Sequence, residues 1–260
     1  MSVVLQVSDP HFGTERPPVV AALERLAAEL RPDLLLLTGD ITQRARPIEF
    51  SRARAFVDRL KLPAVLTIPG NHDIPLYAVF KRLLDPYGRY KRSFGPALEG
   101  DFENDQLLVI ALNTTRRYRH KHGQVSEAQI EHVERRLAQA RPSQCRVIAV
   151  HQPVAVTRES DHVNLLRGHE RAVRRWSAAG ADIVIGGHIH LPYVLPLRQQ
   201  WPDLPRPMWA VQAGTALSTR VRGGIPNSVN VIRTGPCRIE RHDYDEATRA
   251  FVQVSEVTLG

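Results

Sequence analysis

Apolar residues arrive along this chain in two alternating rhythms. Runs at Val3–Val7 (apolar but for Gln6), 34–37 (wholly apolar) and 64–68 (apolar but for Thr67) read as buried strands. Between them, apolar positions recur at helical spacing. Val20, Leu23, Leu26, Ala27 and Leu30 do so within Pro17–Leu30, and Phe50, Ala53, Phe56 and Val57 within Pro47–Leu60. Strand, helix, strand, helix, strand predicts a parallel sheet with right-handed crossovers.

The pattern weakens from 74 to 124, where 75–84 suits a helix and 107–112 is a clear strand. Ser126 reads as a helix N-cap, with apolar positions Ile130, Val133 and Leu137 continuing to 140. A strand at 146–150, a helix at 165–179 and a strand at 181–185 follow. Helical spacing then vanishes. Segments 193–197, 208–212, 228–232, 238–244 and 251–257 read as strands joined by Gly/Pro/Asn turns. They predict an antiparallel meander, 193–257 completing a second sheet within a single domain spanning 1–260. The fold class expected is α/β, with two sheets packed together and helices outside.

The polar residues matter most where the strands stop. Asp9 and His11 follow the first strand, Asp40 the second, and Pro-Gly-Asn71-His72-Asp73 the third; His151 follows 146–150, and His188 and His190 follow 181–185. Ligands of parallel sheets gather outside the carboxyl ends of the strands. Any one motif alone also serves as a turn or cap. Together they offer two carboxylates, an amide oxygen and four imidazoles, too many donors for one tetrahedral ion and suited to two. Oxygen and nitrogen donors without thiolate favour Mn, Fe, Zn, Co or Ni over calcium.

Composition adds modest constraints. The 260 residues carry a formal charge of +8, nearly all of the cation being arginine, which suits an anionic substrate or reflects compositional bias alone. The basic, aromatic run 116–122 could grip nucleic acid, though a solvated loop is favoured. Two cysteines, Cys145 and Cys237, share no CxxC spacing, so neither a disulfide framework nor a zinc knuckle is indicated. No export core or membrane-length apolar run is evident, and a cytoplasmic protein is expected.

The motifs Asp9-Pro10-His11, Gly39-Asp40, Gly70-Asn71-His72-Asp73, isolated His151 and Gly187-His188-Ile189-His190 closely resemble the signature of the calcineurin-like metallophosphoesterase superfamily. Pro10 departs from the more usual leucine or threonine. The resemblance implies a four-layer αββα sandwich and a dinuclear centre. Asp9, His11 and His190 would hold one ion, Asn71, His151 and His188 the other, with Asp40 bridging. A shared, acidified water would attack phosphorus. His72 matches the non-ligand histidine that steadies the phosphoryl group or protonates the leaving oxygen, and Asp73 would orient His72 or cap the loop. Residues 212–218, with Arg220 and Arg222 after them, resemble the bacterial class III cyclic-nucleotide phosphodiesterase branch. That branch implies a small phosphodiester substrate, with 3′,5′-cyclic nucleotides as candidates. Arg116 and Arg220 are candidate phosphate contacts. A phosphomonoesterase, a nucleotide pyrophosphohydrolase and a non-catalytic metal-binding module are the alternatives, and a homodimer is compatible with the chain.

Overall fold

The computed structural model describes residues 1–76 and 78–259. Its first half alternates as expected: β1 (Val3–Val7), α1 (Pro17–Leu30), β2 (Leu34–Thr38), α2 (Pro47–Leu60) and β3 (Val65–Ile68). The middle contributes α3 (Val79–Leu84), α4 (Gly88–Phe94), β4 (Gly100–Asn104), β5 (Leu107–Ala111), α5 (Glu127–Ala138), β6 (Cys145–Ala149), α6 (His169–Ala179) and β7 (Ile183–Gly186). Five strands close the chain: β8 (Tyr193–Pro196), β9 (Trp209–Gln212), β10 (Ser228–Arg233), β11 (Arg238–Asp245) and β12 (Ala250–Thr258). Tyr77, inside the helix expected at 75–84, lies outside the described residues, and α3 covers only the end of that range.

Two six-stranded sheets result, ordered β12-β11-β10-β1-β2-β3 and β4-β5-β6-β7-β9-β8. Alternation of side chains along each strand sorts the core into three layers. Leu5 and Val7 of β1 turn outward to Leu23 of α1 and Phe50 and Phe56 of α2. Val4, Leu34 and Leu36 turn inward and share a layer with Val109, Val147, Ile183 and Ile185 of the second sheet. On the far side, Ile148 and Val184 pack beneath Val133 of α5 and Trp176 of α6. The molecule is thus an αββα sandwich, and burial of both faces explains why its central strands lack a polar side. Ser126 caps α5, its hydroxyl accepting from Gln129 N at 3.2 Å.

The C-terminal expectation needs correction. Only β8 and β9 join the second sheet, and β9 runs parallel to β7. Residues 228–258 extend the first sheet instead, β10 pairing antiparallel with β1 from Val3↔Arg233 to Gln6↔Asn230. The cause is backbone satisfaction. β1 is buried on both faces and pairs β2 along one edge, so its other edge requires a strand for its amides and carbonyls. Apolar alternation shows that 228–257 is extended but says nothing about which edge it will cover.

A polar tie crosses the inner layer just below the strand ends. Gln6 Nε2 donates to Gly186 O in the opposite sheet at 3.0 Å and to Thr38 Oγ1 at 3.0 Å, while its Oε1 accepts from Asn230 at 2.8 Å. The two sheets are registered here, and the loops above them meet.

Candidate metal centre

Those loops descend from the carboxyl ends of β1, β2, β3, β6 and β7, and they pack with almost no clearance. A methyl on Gly70 would strike the backbone of Asp40, and one on Gly187 would strike Ser8 and Asp9. Five of the seven candidate ligands, Asp9, His11, Asp40, His188 and His190, hold the left-handed backbone that non-glycine residues avoid. Strain of this kind persists only where surrounding contacts over-determine it, and it concentrates at functional sites. The contacts are visible: Asp9 N donates to Gly39 O, His11 N to Asp40 O, and Thr215 Oγ1 to Asp9 O at 2.7 Å.

The side chains form two clusters. In the first, His190 Nε2 stands 3.1 Å from His11 Nε2 and 3.3 Å from Asp9 Oδ1. In the second, His151 Nε2 stands 3.3 Å from Asp40 Oδ1 and 3.2 Å from Asn71 Oδ1, with His188 completing the group. Donor atoms around a cation at about 2.1 Å lie roughly 3 Å apart, so both clusters have the right scale. Tautomers agree as well. His151 Nδ1 donates to Thr38 O at 2.8 Å and His190 Nδ1 to Arg220 O at 2.7 Å, which leaves each Nε2 lone pair facing its cluster. His188 Nδ1 is buried and has no hydrogen-bond partner. An orphaned imidazole nitrogen beside two buried carboxylates is what a cation-binding site supplies. The residues present fit a pair of metal ions.

The buried carboxylates draw positive charge onto neighbouring imidazoles, charge that a bound cation would displace when the Nε2 protons leave. Burial raises Asp9, but the His190 and His151 charges outweigh it and bring its carboxyl down to about 2. Asp40, facing His151, His72 and His11, is likewise held well below the usual range despite burial. Burial brings His11 to about 3, and burial with the neighbouring His151 charge does the same for His188. Burial also opposes a charge on His151, yet Asp40 and Asp9 push it up to about 9.

Residues 2–192 match the model of the calcineurin-like phosphoesterase family. The chain is a member of that family. Among relatives of this phosphoesterase, a probable cyclic nucleotide phosphodiesterase of Synechococcus is 27% identical over 205 residues, 74% of each chain. A cAMP/cGMP dual specificity phosphodiesterase of Mycobacterium tuberculosis is 28% identical over 204 residues, 72% of this chain and 61% of that protein. A dimetal phosphatase from Danio rerio shares the fold at a TM-score of 0.65, with 14% identity and coverage of 99% and 98%.

The seven candidate ligands of the phosphoesterase thus converge, and His72 and Arg220 join them. His72 Nδ1 donates to Gln43 O at 2.8 Å, so its Nε2 faces the cavity, where Arg220 Nη1 approaches to 3.2 Å. Arg220 also lies 3.3 Å from His11 Nε2. Of the two roles expected for Asp73 the contacts fit the loop cap, and Arg116 turns away from the cavity. Asp73 does not touch the His72 ring. Its carboxylate accepts from Ile41 N, Thr42 N, Thr42 Oγ1 and Gly70 N at 2.8–3.0 Å and clasps the second and third loops together. Arg116 folds back onto Asn113 O, Thr115 O and Gln129 Oε1, because carbonyls of its own loop satisfy the guanidinium.

The cavity over the site measures about 250 Å³ and meets a second lobe of about 160 Å³ across Asn71, His72 and His120. Its walls include Arg44, Arg82, His120, Lys121 and Arg222, residues absent from the sequence-based candidates. Two signals bore on them: Arg222 follows the 212–218 segment, and the basic run supplies His120 and Lys121 to the cavity while its arginines 116 and 117 are taken up by backbone carbonyls.

Proposed function

We propose that this phosphoesterase is a two-metal phosphodiesterase. Asp9, His11 and His190 would hold one ion, Asn71, His151 and His188 the other, and Asp40 would lie between. One observation supports this above all: the carboxylate oxygens of Asp40 face different clusters, Oδ2 lying 3.8 Å from His11 Nε2 and Oδ1 3.3 Å from His151 Nε2. When bound, a cation pair supplies an acidified water nucleophile and draws charge from the phosphoryl oxygens.

The chain's own groups do the rest. Arg220 donates toward His72 Nε2 in the free site. A phosphoryl oxygen entering here competes for the guanidinium and releases the His72 Nε2 lone pair, which takes up a proton from solvent while Nδ1–H stays on Gln43 O, and passes that proton to the leaving oxygen as its bond to phosphorus breaks. Arg222 is occupied by Asp161, which accepts from it at 2.8 and 3.1 Å, and by Ile189 O at 2.9 Å. With Arg222 already paired, Arg220 is the guanidinium set beside His72 to meet a phosphoryl oxygen, an arrangement that favours a singly charged diester. The phosphodiesterase names of the relatives favour the same class, with 3′,5′-cyclic nucleotides as candidates.

The test is a substrate panel on enzyme stripped by chelation and reloaded with Mn, Fe, Zn, Co or Ni. Bis(4-nitrophenyl) phosphate and cyclic AMP are expected to exceed 4-nitrophenyl phosphate and a nucleotide pyrophosphate by about tenfold or more in kcat/KM. Turnover of the monoester alone would overturn the reading. His72→Ala is expected to retain its metal content and lose ~10²–10⁴-fold in kcat. An unchanged kcat would remove His72 from the chemistry.

A further inference from the structure

Beside the cavity, α3 breaks the pattern of the other helices: none of its residues is buried. Phe80 and Leu84 are each 83% exposed, and Val79, Leu83 and, nearby, Tyr118 are exposed as well. Exposed apolar residues scattered singly need no account, but a cluster of this kind marks an interaction site.

The cluster is fastened to the basic run. Arg117 Nη1 donates to Leu83 O at 2.8 Å, and Arg82 Nη2 donates to Arg119 O at 2.8 Å. The helix and the loop therefore make one surface. Segments 74–95 and 115–122 together carry nine lysines and arginines against a single carboxylate, Asp85. Lys81, Arg89 and Arg92, with the lone carboxylate Asp85, line a shallow hollow with Phe80 and Leu84, so net positive charge directly borders the apolar side chains. Leu76, Arg82 and His120 belong to this surface and to the cavity wall, which places the patch at the mouth of the site.

Apolar side chains ringed by cations suit a surface that is anionic outside and hydrocarbon beneath. A second copy of this chain fits poorly. A two-fold contact would set the same cations against themselves, and like charges facing across an interface are costly. We propose that α3 and the 116–122 loop together dock this protein on an anionic lipid bilayer, with the cavity mouth against the headgroups. No described helix is long and apolar enough to span a membrane, so the attachment is peripheral. The proposal does not depend on which phosphoester is cleaved.

Vesicle co-sedimentation of the full chain tests it, using phosphatidylcholine alone and phosphatidylcholine mixed with phosphatidylglycerol. Binding to the anionic vesicles is expected to exceed binding to the neutral ones about tenfold and to weaken as salt is raised. Phe80→Asp/Leu84→Asp should lower it by about tenfold or more while thermal unfolding and turnover of the soluble diester stay unchanged. Lys81→Gln/Arg92→Gln should weaken only the anionic component. Absence of binding by the native chain, or binding that Phe80→Asp/Leu84→Asp leaves intact, would overturn the proposal. So would a native dimer that this variant converts to monomer, since the patch would then be a contact between copies.

Discussion

Asp40→Asn is expected to lower kcat/KM by ~10³-fold, several kcal/mol of transition-state stabilisation, and to weaken cation binding at both clusters together. Other proposed ligands belong to one cluster each. Asp40 sends Oδ2 toward His11 and Oδ1 toward His151, and Oδ1 also accepts from His72 N at 2.7 Å. An asparagine can offer one oxygen, and its amide hydrogens would face imidazole nitrogens or the His72 amide on the other side. Both clusters lose a negative donor at once, in a buried setting where each cation depends on nearby carboxylate charge. Metal analysis after gel filtration, run beside kinetics with a model diester, reads the effect. Two tightly held ions in the variant would show that Asp40 does not lie between them.

Asp73→Ala is expected to destabilise the fold by about 3–5 kcal/mol, because four buried donors lose a charged acceptor together. For a chain of this size that corresponds to a fall of about 10 °C in Tm. Ile41 N, Thr42 N and Gly70 N have their partner in this carboxylate, and the Thr42 hydroxyl shares it. Burial and the charge of Asp40 push Asp73 up to about 6 even against these donors, a measure of how unfavourable its setting would be without them. Thermal unfolding by circular dichroism is the measurement. Were Asp73 an orienting partner of His72, the loss would appear in kcat at an unchanged Tm, and that outcome would sink the structural reading.

The two roles of this loop show what the sequence could and could not disclose. Pro-Gly-Asn-His-Asp after an apolar run announces a polar loop at a strand end, and Asn71 and His72 do face the site. Adjacency cannot say where a third side chain points. The 3-10 turn at Asn71–Asp73 turns the Asp73 carboxylate inward, away from the His72 ring. The strands β1 and β2 were readable because burial on two faces leaves a nearly unbroken apolar run; β3 carries the same pattern but, contrary to the expectation of full burial, lies at the sheet edge with Val65 exposed. β4 was not readable, since its Gly-Asp-Phe-Glu-Asn lies at a sheet edge with Asp101 and Glu103 exposed. The pairing of β10 with β1 joins residues more than two hundred positions apart, and no local pattern encodes it. Ligands at strand ends stood out as isolated polar residues closing apolar runs. Arg82 sits in the expected helix at 75–84 and His120 in the basic run, neither directly after a strand, and only the folded chain brings them to the cavity wall.

The two leaves of the sandwich share custody of every proposed ion. Asp9 and His11 rise from the first sheet and His190 from the second; Asp40 rises from the first, His151 and His188 from the second. Each occupant is therefore a rivet through both leaves, gripped only while they are closed. An ion at a hundred times its dissociation constant then raises the work of prising the leaves apart by about 2.7 kcal/mol, provided the unfolded chain does not bind it. Ions held as proposed would double as a fastener, and their removal by chelation would then loosen the fold along with stopping the reaction.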